Sequence, residues 1–151
     1  MNAHFLVAVD GSPESETALA YAIDVADAMD GSITAVHAVD PSVYEAGGDE
    51  PVSGLADADR RLVLESVEEA EERGVAVLDD AAALAANLGL TVETELLYGD
   101  PVDRVAEYAE EEGFDAVFVG HRGRSARAER MLGSVATGLV ERVTRPVTVV
   151  R

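Results

Sequence analysis

Hydrophobic residues in this chain come in short runs separated by stretches with helical periodicity, and that alternation defines the elements. Phe5–Val9 is a continuous apolar run that suits a strand covered on both faces, Ala116–Val119 reads as a buried strand, and Ile33–Val39, Thr91–Leu97 and Val147–Val150 read as the remaining strands. After the first run, Asp10-Gly11-Ser12-Pro13 breaks the pattern. Ser12 suits an N-cap, Pro13 the first helical position, and Glu14 and Glu16 the positive end of a helix dipole. Ala18, Leu19, Ala22, Ile23, Ala26 and Met29 then keep helical spacing up to Gly31. A longer stripe runs from about Asp59 to Leu88 and is closed by Gly89. Gly74 falls inside it and weakens it by roughly 1 kcal/mol relative to alanine. Asp100 and Pro101 repeat the cap-and-proline signature ahead of a helix that Gly113 ends, and a fourth helix is expected from Gly133-Ser134 to about Thr144.

The predicted order is β-α-β-α-β-α-β-α-β. Right-handed crossovers with helices on both faces give a doubly wound, five-stranded parallel α/β sheet, Rossmann-like, with strand order 3-2-1-4-5. One domain over 1–151 is expected at this length. Residues 40–57, with two prolines and three glycines, have no clear period and read as a long loop.

Charge changes the picture. Thirty acids oppose eleven bases, for a formal net charge of −19, and every base is an arginine. Such a surface repels nucleic acid and anionic membranes. The acids are spread along the chain and do not form a tail, so they read as a solvated coat suited to high salt and to a halophilic archaeal source. No cysteine is present, which excludes disulfides and thiolate metal sites. No basic region precedes the first apolar run and no run approaches a bilayer span, so the expected location is the cytoplasm.

Against this background one stretch stands out. The run ending at Val119 empties into Gly120, followed by Gly123, Gly133 and Ser134, with Arg122, Arg124, Arg127 and Arg130 between the outer glycines and Glu129 the one acid among them. Four arginines against one glutamate give this loop a net +3. A strand that runs into a glycine-rich basic loop and then a helix is a phosphate-binding arrangement in α/β proteins. Arg122 and Arg124, which flank Gly123, are the better phosphate candidates. If strands one and four are central neighbours, Asp10 faces the same crevice. Each feature also has a purely structural reading: turn glycines, a capping Asp10, an N-capping Ser134 and solvated arginines. His4, His37 and His121 carry little weight as isolated histidines, and Tyr98 reads as packing. No metal-ligating spacing and no nucleophile with a base can be identified, so hydrolysis would be slow at most.

Gly120, Gly123, Gly133 and Ser134 stand in the Gly-x2-Gly-x9-Gly-Ser/Thr spacing of the universal stress protein family, in its nucleotide-binding branch. Val7-Ala8-Val9-Asp10-Gly11-Ser12 resembles that family's first strand and aspartate, His37-Ala38-Val39 the end of its second strand, Gly99-Asp100-Pro101 the turn before its third helix, and Arg145–Val150 its last strand. The resemblance implies an ATP-binding, dimeric stress-response protein with Mg²⁺ or Mn²⁺ on the phosphates. It places Asp10, with Ala8 and Val9 leading to it, at the ribose or the polar edge of the nucleoside. The backbone of Ala38 would meet adenine, and Val119 would pack on the base. Gly120, Gly123 and Gly133 would let N–H groups approach the phosphates, with Ser134, Val135 and Ala136 completing the set. His121 replaces the usual Ser or Thr, and Ala136 a common hydroxyl residue, which removes one hydrogen bond worth about 0.5–1.5 kcal/mol.

Other functions fit the same fold. A nucleotide-free dimeric adaptor would act through its surface, although the glycines and Ser134 argue against it. A phospho-receiver wants a lysine that this chain lacks, and a flavin carrier wants flanking aromatics that are scarce here. The last strand leaves an open edge that a second copy would cover, so a homodimer through Val147–Val150 is expected.

Overall fold

A computed structural model describes residues 2–41, 56–122 and 132–151, and the side chains of 56–66 also lie outside the description. The elements are β1 (His4–Ala8), α1 (Pro13–Ala28), β2 (Ser32–Val39), α2 (Ala56–Asn87), β3 (Glu93–Tyr98), α3 (Pro101–Glu111), β4 (Ala116–Gly120), α4 (Ser134–Arg142) and β5 (Val147–Val150). The sheet is five-stranded with order β3-β2-β1-β4-β5, and every pairing is parallel. This is the predicted topology. The α2 helix starts at Ala56 and so takes in the end of the expected 40–57 loop, most of which lies outside the described residues.

The caps form as the sequence predicts, because each depends on neighbouring residues only. The Ser12 side chain accepts from the Ser15 N–H, Asp100 accepts from the Asp103 N–H, and a proline follows each cap. At the end of α1 the chain turns through Asp30 at φ 54°, and the Gly31 N–H returns to the Ala26 carbonyl.

Two apolar layers cover the sheet. On one face α1 and α2 bring Leu19, Ile23, Val77, Leu78 and Ala81 onto Phe5, Val7, Ile33, Ala35 and Phe118. On the other, Val105, Ala109, Phe114 and Leu139 of the α3–α4 side meet Leu6, Val36, Leu97, Val117 and Val119. The α3 and α4 helices approach closely because position 138 is glycine: a Cβ there would lie 2.6 Å from Val102 Cγ2. Arg142 pairs with Asp103, and the Thr144 hydroxyl donates to Glu110 at 2.7 Å, which ties the end of α4 to α3. The Tyr108 phenol, stacked near Phe114, is raised above its ordinary pKa, by burial first and then by Glu95, Glu112 and Glu93. Tyr98, expected to pack, is half exposed.

A close backbone contact between layer and sheet is made at Gly120. A Cβ there would sit 2.8 Å from both the carbonyl carbon and the carbonyl oxygen of Glu14, so the end of β4 touches backbone of the first turn of α1. Backbone cannot swing aside as a long side chain can. Gly120→Ala is therefore expected to cost about 1–3 kcal/mol, at roughly 2–4 °C of melting temperature for each kcal/mol. Thermal unfolding followed by circular dichroism measures it, and an unchanged midpoint would disprove the close contact.

Candidate functional site

The strand order reverses between β1 and β4. From β1 the chain passes into α1 on one face of the sheet, and from β4 it reaches α4 on the other. A crevice therefore opens beyond the carboxyl ends of these two strands, where doubly wound sheets hold their ligands. The β1–β4 register pairs Ala8 with Val119, which brings the loops after Val9 and Gly120 side by side.

On the β1 side, Asp10 is set by its own turn. Its Oδ1 accepts from the Ser12 N–H at 2.9 Å and from the Ser12 hydroxyl at 2.5 Å, while the Asp10 N–H donates to Ser15 Oγ at 3.3 Å. Gly11 supplies the left-handed turn at φ 82° that lets the chain enter α1. The carboxylate is thus held at the crevice mouth by the same serines that start the helix. Val9 is buried against the α1–α2 layer, whereas Ala8 is half buried on the opposite face, beside Ala38 and Val119.

On the β2 side the strand outruns its neighbour. The β1–β2 register ends at Ala8↔Val36, and β2 continues to Val39. The Val36 carbonyl points toward β1, where it accepts from the Val9 N–H at 2.9 Å. Strand groups repeat with a period of two, so the N–H and C=O of Ala38 point the same way, past the end of β1. They form a backbone donor–acceptor pair facing the crevice.

On the β4 side a hydrogen-bonded path fixes the exit of the chain. The His121 N–H donates to the Val150 carbonyl at 2.9 Å, and its ring Nδ1 lies 3.3 Å from the same oxygen. Nε2 accepts from Arg122 Nε–H at 3.1 Å, which assigns the neutral Nδ1–H tautomer. Arg122 also reaches Glu14 at 2.9 Å, with both side chains roughly one-fifth exposed (23% and 21%). The predicted phosphate arginine is thus paired with an acid from the first turn of α1. A pair exposed to this extent is worth about 0.2–1 kcal/mol, little enough for a competing anion to displace.

The α4 helix begins where this loop returns. The Gly133 N–H donates to the His121 carbonyl at 2.7 Å, so that amide serves loop closure. Gly133 is the N-cap and offers no side-chain hydrogen bond to the helix. The N–H groups of Ser134, Val135 and Ala136 consequently have no intrahelical acceptor. Ser134 is exposed, Val135 half buried, and the Ala136 methyl is buried in the core. Gly123 and Arg124 lie outside the described residues. Ala8, Asp10, Ala38, Val119, Gly120 and Arg122 converge on the strand ends, with the start of α4 anchored to the end of β4. Sequence reasoning foresaw neither the Glu14–Arg122 pair nor the contact of the His37 ring with the Val9 carbonyl at 2.8 Å.

The profile of the universal stress protein family matches residues 1–151. Universal stress protein YxiE of Bacillus subtilis is 31% identical over 146 residues, covering 97% of each chain. Universal stress protein MJ0531 of Methanocaldococcus jannaschii is 30% identical over 147 residues, 97% of this chain and 80% of the relative. Among solved structures, a universal stress protein in complex with cAMP superposes with a TM-score of 0.70 at 29% identity, over 99% of this chain and 97% of the other. With the parallel 3-2-1-4-5 sheet already in place, these matches establish that the chain belongs to the universal stress protein family.

Proposed function

We propose that this protein is a cytoplasmic regulatory module that binds an adenine nucleotide, ATP foremost, in the crevice between β1 and β4. The observation that carries the reading is the uncapped first turn of α4, fixed to the end of β4 through the Gly133–His121 hydrogen bond. Three amides at the positive end of a helix dipole match an anion. Asp10 would meet the ribose hydroxyls, and the Ala38 backbone pair the base edge. The similar protein whose structure holds cAMP supports an adenine ligand for this fold. Mg²⁺ or Mn²⁺ would sit on the phosphates, whose oxygens suit a hard cation. No group of three metal-ligating side chains gathers among the described residues, so the phosphates would supply most of its ligands. The role is regulatory because His121 is engaged at both ring nitrogens and is not poised as a base.

Equilibrium dialysis against ATP, AMP and cAMP in molar KCl tests this, and failure to bind any of the three would leave the nucleotide-free adaptor. Gly123→Val is expected to abolish binding while leaving the far-ultraviolet spectrum unchanged, so retained affinity would contradict the phosphate-loop assignment. Glu14→Gln frees Arg122 and is expected to tighten ATP binding by up to about fivefold, the equivalent of a pair worth up to ~1 kcal/mol. Weaker binding in that variant would show that the acid helps the ligand.

The same module is proposed to be a homodimer through β5. That strand is at the sheet edge, and all four of its residues are half buried. The carbonyls of Pro146 and Val150 point toward β4, so the alternate Val147 and Val149 direct their backbone groups outward. Val149→Pro removes one outward N–H without touching the β4 ladder. Light scattering is expected to give a dimer for the unmodified protein and a monomer for this variant; a monomer in both would defeat the assignment.

A further inference from the structure

The ladder between β1 and β2 stops one hydrogen bond early. The Val9 N–H donates to the Val36 carbonyl, and the next bond of a regular parallel ladder would run from the Ala38 N–H to the Val9 carbonyl. The register has ended by then, at Ala8↔Val36. The Val9 carbonyl accepts from a side chain, the ring Nδ1 of His37 at 2.8 Å. A carbonyl can only accept, so Nδ1 carries the proton.

The ring reaches that oxygen through a gap in α2. His37 shares the sheet face of Ile33 and Ala35, the face that α2 covers. A Cβ at position 74 would lie 2.9 Å from His37 Cδ2 and 2.8 Å from Leu96 Cδ1. Gly74 is in the interior of a 32-residue helix, where glycine is otherwise unfavourable. Its hydrogen atom makes room for the imidazole. Farther along the same helix, Val77 lies under Gly11, next to Asp10. The α2 helix therefore braces the floor of the crevice through one ring and one methyl.

We infer that His37 is a positioning residue for the base pocket, held in place by Gly74. By taking the Val9 carbonyl it keeps the Ala38 N–H out of the ladder, while the Ala38 C=O lies past the end of β1, where the chain has already turned at Gly11. Both groups are then available to a planar edge with an accepting ring nitrogen beside a donating amino group, as in adenine. The inference rests on the nucleotide reading and deepens it, since it names what makes the recognising backbone available.

Hydrogen exchange by NMR tests the ladder without any ligand. In the unmodified protein the Ala38 amide is expected to exchange faster than the Val36 amide. In His37→Phe it is expected to slow by about tenfold or more as it takes the vacated carbonyl, the effect of one hydrogen bond. Gly74→Ala displaces the ring without altering its chemistry and is expected to act in the same direction; it carries the test should His37→Phe fail to fold. His37→Asn, whose side-chain amide can stand in for Nδ1–H, is expected to retain the fast exchange. Binding gives the second readout. AMP affinity is expected to fall about tenfold in His37→Phe, while affinity for ribose 5-phosphate, which has no base, is unchanged. Equal losses for both ligands, or an Ala38 amide indifferent to His37→Phe, overturn the inference alone. No AMP binding by the unmodified protein overturns the nucleotide reading and the pocket with it.

Discussion

Two strands more than a hundred residues apart, β1 and β4, lie side by side, and the crevice proposed as the nucleotide site depends on that parallel pairing. It sets Ala8 against Val119 and so carries Asp10 and Gly120 to the same end of the sheet. It also forces the first turn of α1 against the end of β4, at a separation that only a residue without a side chain allows. Glycine at position 120 is therefore required first by packing. Whatever close approach it offers a ligand comes in addition, and the two roles do not compete, because the Cβ would clash toward Glu14.

The parts of this arrangement legible in the sequence are those written in neighbouring residues. Ser12-Pro13 and Asp100-Pro101 announce their helices because a cap and the N–H it accepts from are three residues apart. The central strands β1 and β4 announce themselves because burial on both faces makes them continuously apolar, whereas β3 is exposed along most of its length and carries no such run. Asp10 and Gly120 could be named as site residues because the topology of alternating strands and helices predicts where the order reverses. The Glu14–Arg122 pair could not, since its members are 108 residues apart and each is one of many acids or arginines. His37 reads in the sequence only as an isolated histidine. Its place depends on Gly74, and no periodicity rule links a strand histidine to a glycine in the middle of the next helix.

The acidic surface bears on how such a site attracts its ligand. At molar salt the screening length is about 3 Å, so neither the coat nor the +3 loop acts much beyond contact. In such salt, recognition of an anionic ligand would come from groups that touch it, which favours backbone amides and the planar guanidinium over a diffuse cationic field. The Arg122–Glu14 separation of 2.9 Å is within that length and keeps its attraction. A paired arginine at the entrance also avoids an unneutralised cation next to the positive end of α1 while the site is empty.

A helix-interior glycine and a ladder that ends before its strand does are each unfavourable by about 1 kcal/mol when taken alone. Here they coincide: Gly74 faces His37, and His37 holds the carbonyl that the ladder would have used. Departures from local rules that share one cause are expected where a structure has been shaped for something other than stability. Stability alone would have been served better by an apolar residue at 37 and one more backbone bond. The chain has neither, and the backbone so exposed lies beside the end of the strand that leads into Asp10. The ladder's early stop is therefore best understood as part of the site.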